Sequence, residues 1–211
     1  MFSHFLISLP RQGMVYENTI IHQPHITRTV EPHLKPINLD GISIGIHARH
    51  KKLTDDGSDV SEYMACVDQM LEMFPKIMPC HLYVASDRPK TLAAIEREGR
   101  QRSCIVHYLD HDNEKRNMTA LSLEIDTNSR AGKWDTEHGE FAGAPMFEDL
   151  EYFTNQVRSG FVHTAGVGPG SSASALYWQQ ITYRGIQDGS FTHPPPDCSP
   201  YLQKVRFHYP E

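Results

Sequence analysis

Two stretches of the chain carry residue types suited to binding an anion. In the first, Ile42 to Lys52, an apolar run (Ile42, Ile44, Ile46) broken by Gly45 delivers His47, Arg49, His50, Lys51 and Lys52 to its end. Apolar runs of this length bounded by turn signals read as buried strands. In open α/β sheets ligands bind outside the carboxyl ends of the strands. A cationic cluster there suits a phosphate or pyrophosphate, and arginine suits it best, because its planar fork of donors matches phosphate oxygens and stays charged. The bland alternative is a basic strand exit facing water. The second stretch, Gly166 to Ser172, is a Gly-rich loop after a short apolar run, with Ser171 or Ser172 placed to cap the helix that follows. Such a loop offers free backbone N–H groups and the positive end of a helix dipole. It is not a Walker loop, since no GK[ST] follows.

The elements that must position these groups are legible in the periodicity. A first strand covers 42–48. A helix follows, with Asp59 as cap, Glu62 completing a capping box, and Val60, Tyr63, Met64, Val67, Met70, Leu71 and Phe74 at helical spacing. Met and aromatic residues on that stripe read as core. His81 to Asp87 is a second strand. Asp87 caps the next helix, with Pro89 in its first turn and Gly99 as its stop. Cys104 to Leu109 is a third strand. Strand–helix alternation at this spacing argues for a parallel sheet of βαβ units. Residues 110–145 read as a long polar loop holding Arg130 and Trp134, either closing over a ligand or solvated. Then come a helix from Met146 to Val157, a strand from Phe161 to Thr164, and a helix reaching about Tyr183. Residues 1–40 read as a lead-in segment, 41–184 as the folded domain, and 185–211 as an irregular Pro-rich tail in which 202–207 are a candidate strand.

Composition narrows the classes. The 211 residues are 39% hydrophobic and 22% charged, which suits a globular chain with its own core. A net charge of −6 gives no reason to expect nucleic acid as a partner. The thirteen histidines show no HExxH or CxxC context, and metal binding is not expected. The four cysteines are dispersed. Cys66 and Cys104 read as small core residues, no disulfide framework is expected, and the redox compartment stays open. No apolar run approaches 18 residues, and the first thirteen residues make a poor signal peptide. Asn117 to Thr119 is a glycosylation sequon, relevant only in the secretory pathway.

Three segments, in order, resemble the α-1,6-/protein O-fucosyltransferase superfamily. Gly45-Ile46-His47-Ala48-Arg49-His50 is similar to its HxRR motif, with Ser61-Glu62-Tyr63-Met64 in the helix beyond. Leu82 to Pro89 is similar to its second motif, a strand ending in (S/T)-D. Glu148-Asp149-Leu150, Phe161-Val162 and Ser171-Ser172 are similar to its third. The resemblance spans about residues 40–183, nearest to the branch acting on N-glycan cores. It departs at His50, where the family carries a second arginine, and at Lys52, where it carries an aspartate. Most of the family's N-terminal domain and its SH3-like module have no counterpart.

What the resemblance implies is an α/β fold: a Rossmann-like parallel sheet flanked by helices, one half of a GT-B-type glycosyltransferase. The implied activity is inverting, metal-independent transfer of fucose from GDP-fucose to a glycan or glycoprotein acceptor in the Golgi lumen, with no cofactor. Arg49 would grip the β-phosphate and stabilise the leaving GDP. His47 and His50 would lie at the donor, Asp149 would accept from the guanine edge, and Ser171 and Ser172 would hold phosphate oxygens. Asp87 is a motif residue that also serves as a helix cap. Asp56, with Asp55 beside it, lies near the family's acidic residue and is the candidate general base. Two alternatives stand beside this: a non-catalytic nucleotide-sugar-binding module or inactive fragment, and an unrelated Rossmann-like domain with incidental HxR similarity.

Overall fold

The computed structural model describes residues 28, 30–34, 41–48, 57–75, 78–86, 88–109, 134–135, 140–141, 144–164, 173–199 and 204–207. The chain runs β1 (Ile42–Ala48), α1 (Ser61–Leu71), β2 (Cys80–Ser86), α2 (Pro89–Gln101), β3 (Cys104–His107), β4 (Trp134–Asp135), β5 (Glu140–Phe141), α3 (Ala144–Gln156), β6 (Gly160–His163), α4 (Ala173–Gln187), β7 (Asp197–Ser199) and β8 (Lys204–Arg206), after a 3-10 turn at Glu31–His33. β4 and β5 form a small antiparallel ribbon within the segment read as a loop.

The other six strands form one sheet in the order β3-β2-β1-β6-β7-β8. Five are parallel, and β8 closes the edge antiparallel to β7. The sheet is Rossmann-like: the chain builds outward from β1 to β3, then returns to the other side of β1 and builds outward again. β1 is therefore central and buried along its whole length. It is buried on both faces although its residues alternate, Ile42, Ile44, Ile46 and Ala48 against Ser43, Gly45 and His47.

Period-2 alternation divides the core into two layers. On one face Ile44, Ile46, Leu82, Val84 and Val162 pack under Met64, Val67, Met70, Leu92 and Ile95 of α1 and α2. On the other, Tyr83, Ala85 and Phe161 pack under Leu150, Phe153, Val157, Tyr177 and Ile181 of α3 and α4. Each fully buried side chain of this size contributes about 1.5–3 kcal/mol. Gly45 belongs to the second face. A Cβ there would stand 2.9 Å from Val157 Cγ2 and 3.1 Å from Phe153, so its absence lets α3 lie directly on the central strand.

Several expectations change. The segment read as an irregular tail extends the sheet: β8 lies within the candidate strand at 202–207, and β7, directly after the prolines, was not expected and is too short to show a period. The cysteines, expected to be unpaired, form two disulfides, Cys66–Cys198 and Cys80–Cys104. Cys80 and Cys104 are register partners on neighbouring strands, and folding brings Cys66 of α1 onto Cys198 of β7 from 132 residues away. Gly99 does not stop α2. It lies inside the helix, where a Cβ would meet Val106 Cγ2 at 2.6 Å. The chain turns instead at Ser103, with φ of 60°. Val60, not Asp59, occupies the cap position of α1, and the Asp59 carboxylate accepts from the Ser61 N–H at 3.0 Å and its hydroxyl at 2.7 Å. The cap position of α2 falls on Arg88, and Asp87 lies outside the described residues, as does Arg130.

Reduction is expected to lower the unfolding midpoint markedly. In the chain-entropy account a bridge across so long a loop contributes about 5 kcal/mol and one across 24 residues about 3 kcal/mol. Denaturant titration of Cys66→Ser/Cys198→Ser and of Cys80→Ser/Cys104→Ser should show the larger loss in the first pair.

Candidate functional site

The sheet order creates one place where two neighbouring strands send their following loops apart. From β1 the chain crosses over by α1 toward β2, and from β6 by α4 toward β7. The pair β1–β6 is the topological switch point, and the crevice outside its carboxyl ends is where such sheets bind ligands. The register here is Ile44↔Gly160 through His47↔His163. Beyond it the Thr164 N–H donates to the His47 carbonyl at 3.1 Å, and the Thr164 hydroxyl donates to the same oxygen at 3.2 Å. The Tyr63 hydroxyl, from α1, is 2.8 Å from Thr164 Oγ1. Both strand exits are thus pinned to each other and to α1.

His47 closes β1 on the face covered by α3 and α4. It is buried, and its ring stacks on Tyr177 of α4 at 4.6 Å with 15° between planes. Tyr177 in turn stacks on Phe161, and Phe161 on His163. Asp149 is buried on α3. The carboxyl end of α3 lies by the start of β1, since the Ser159 N–H donates to the Ser43 carbonyl at 2.8 Å. The helix therefore runs against the strand. Asp149, one turn before Phe153, sits about 5 Å nearer the carboxyl end of the sheet than the Phe153–Gly45 contact. Asp149 and His47 so occupy the same layer. Arg184 of α4 reaches both Glu151 oxygens, at 3.2 and 3.1 Å, and Asn155 Oδ1 at 2.6 Å, locking α4 to α3.

Arg49, His50, Asp56, Ser171 and Ser172 lie outside the described residues. The elements flanking them are described. β1 ends at Ala48, one residue before Arg49; β6 ends one residue before Thr164; α4 begins at Ala173, one residue after Ser172. Among the described residues no three His, Cys, Asp or Glu side chains converge as metal ligands.

One pair escaped sequence reasoning. His163 Nε2 lies 2.7 Å from Asp197 Oδ2, linking the end of β6 to the start of β7. Asp197 stood in a segment read as tail, and nothing local in the sequence couples positions 163 and 197. Further down the same face, Tyr83 is buried between Tyr152 and His107, and His81 Nδ1 is 3.0 Å from His107 Nε2. Burial pushes the Tyr83 phenol up, and burial together with Tyr83 pushes Tyr152 up to about 12.

No protein-family model and no curated protein matches this chain.

Two outcomes follow from this geometry. Thr164→Val removes a hydroxyl that holds both strand exits and should cost about 1–3 kcal/mol by denaturant titration. In a double-mutant cycle with Tyr63→Phe the two losses should not add. For Tyr152 the unfolded chain releases its proton near pH 10 while the folded chain holds it to about 12. Stability should be unaffected by this group below pH 10 and fall as pH rises from 10 toward 12. The fall should be shallower in Tyr152→Phe.

Proposed function

We propose that this chain binds GDP-fucose in the crevice outside β1 and β6 and transfers the fucose to a hydroxyl of a glycan, as the N-glycan core branch of the family it resembles does. The observation that carries the reading is the adjacency of β1 and β6. It sets the strand ends that precede Arg49 and the Gly166–Ser172 loop side by side, which supports reading the two stretches as parts of one site. Arg49 would hold the β-phosphate, where a fixed cation offsets the charge that GDP gains on leaving. The N–H groups and hydroxyls at Ser171 and Ser172 would take phosphate oxygens from the other side. His47 and Asp149, in one layer beside Tyr177, would face the guanosine, the carboxylate accepting from the guanine edge.

Two disulfides using all four cysteines support a life in an oxidising compartment such as the secretory lumen. No helix among the described residues is long and apolar enough to cross a membrane. A second reading is favoured by two residues: His50 stands where the family has its second arginine, and Lys52 where it has an aspartate. On that reading the crevice binds the nucleotide sugar without turning it over.

Titrating nucleotides against the purified chain decides between these and an unrelated Rossmann-like domain. GDP should raise the melting temperature, since at a hundred times Kd a ligand of the native state adds about 2.7 kcal/mol. ADP and UDP should not, and Arg49→Ala should weaken GDP at least tenfold. No response to GDP overturns the nucleotide-sugar reading; GDP binding without GDP release from GDP-fucose leaves the binding module.

A further inference from the structure

Transfer of a sugar to a hydroxyl needs a group that takes the hydroxyl proton. The acidic residues of the loop after Arg49 are one source in the sequence. The geometry points to another: we propose that His163, held by Asp197, is the proton acceptor of the crevice. The inference rests on the nucleotide-sugar reading above and assigns to it a residue pair outside every motif of the resemblance.

Four observations carry it. His163 is the last residue of β6 and pairs in register with His47 of β1, so it stands at the switch point itself. Its ring is oriented from two sides, by Asp197 at 2.7 Å on Nε2 and by Phe161 stacked at 5.6 Å with 20° between planes. The Asp197 side chain is 4% exposed and that of His163 17%, so the carboxylate is sealed beneath a ring that still reaches the surface. Among the described residues Nδ1 has no hydrogen-bond partner.

The chemistry follows from the pairing. A carboxylate accepts but does not donate, so it fixes the tautomer with hydrogen on Nε2 and leaves the Nδ1 lone pair as the basic site. It also stabilises the imidazolium that forms when that lone pair takes a proton, as the carboxylate of a catalytic triad does. Among the described residues, the hydroxyl that the strand register sets beside the ring is not the proton donor. The register Phe161↔Asp197, Val162↔Cys198, carried one step on, sets Ser199 next to His163, yet Ser199 Oγ is buried with no hydrogen-bond partner. The proton must come from a hydroxyl that enters the crevice. In the balanced step, the acceptor oxygen forms a bond to C1 of the sugar, and the C1–O bond to the β-phosphate breaks with its electron pair leaving on GDP. The acceptor proton moves to His163 Nδ1 and then to water.

The test measures GDP binding and turnover separately in the full chain. Release of GDP from GDP-fucose is followed with a glycan acceptor and with water alone. His163→Gln should leave the GDP dissociation constant within about threefold and lower the turnover rate about 100-fold or more, the range of a general base. Asp197→Asn acts through the ring, so it should lower kcat while the KM for GDP-fucose stays within about threefold. Imidazole added to His163→Ala should restore part of the lost rate, which a merely structural histidine would not allow. Melting temperatures identify any variant that fails to fold; if Asp197→Asn does, the His163 variants decide. Wild-type turnover retained in His163→Gln overturns this proposal alone and returns the role to the acidic loop. GDP binding with no turnover by the wild-type chain also overturns it. No GDP binding by the wild-type chain overturns it together with the reading beneath it.

Discussion

The hydrogen-bonded pairing of β1 with β6 is the constraint on which the rest of the molecule depends. β1 already has β2 on one side, and only a return of the chain to its free edge puts a second parallel strand against it. That return sends the connections of the two strands to opposite faces, which makes their carboxyl ends the switch point of the sheet. It also buries β1 completely, so every side chain from Ile42 to Ala48 must be small, apolar or satisfied. Gly45 is the tightest expression of this. It removes the one Cβ that would hold α3 away from the strand whose end forms the crevice.

The crevice inherits its rigidity from its surroundings rather than from its own contacts. Below it, the His47, Tyr177, Phe161 and His163 rings form one stacked array spanning β1, α4 and β6. Beside it, Arg184, Glu151 and Asn155 fasten α4 to α3. On the opposite face the Cys66–Cys198 bridge ties α1 to β7, so α1 is covalently joined to the far half of the sheet. Tyr63 of α1 meets Thr164 at the strand exits. Side chains held this way have little freedom left to lose, which is what preorganisation of any site there would require.

The resemblance and the architecture bear on different questions. The Rossmann-like sheet marks the strand ends at its switch point as the place where sheets of this kind take ligands. It is silent on which nucleotide and which acceptor, because one such sheet hosts many chemistries. The choice of GDP-fucose rests on the residues of the His47–Arg49, Ser86–Asp87 and Asp149 motifs, and the choice of proton acceptor on a pair that no motif contains.

How much was legible in the sequence differs from element to element. β1, β2, α2 and β6 were read to within two residues and α1 to within three, because their hydrophobic periods are strong and local. β3 was read two residues too long, since Tyr108 and Leu109 continue an apolar pattern after the strand pairing has ended. β8 lies inside the candidate strand at 202–207, whereas β7 escaped, because a strand of three residues carries no period and exists only by pairing with β6 and β8. Of the candidate site, His47 and Asp149 were named from the resemblance and are both buried; His163 with Asp197 was not named. By itself the sequence determined the alternation of strands and helices and the buried central strand, because each is written in neighbouring residues. Only the tertiary structure decided the strand order, the cysteine pairing and the Asp197–His163 contact. Each of those joins positions far apart in the chain, and their separation is set by how the sheet is wound.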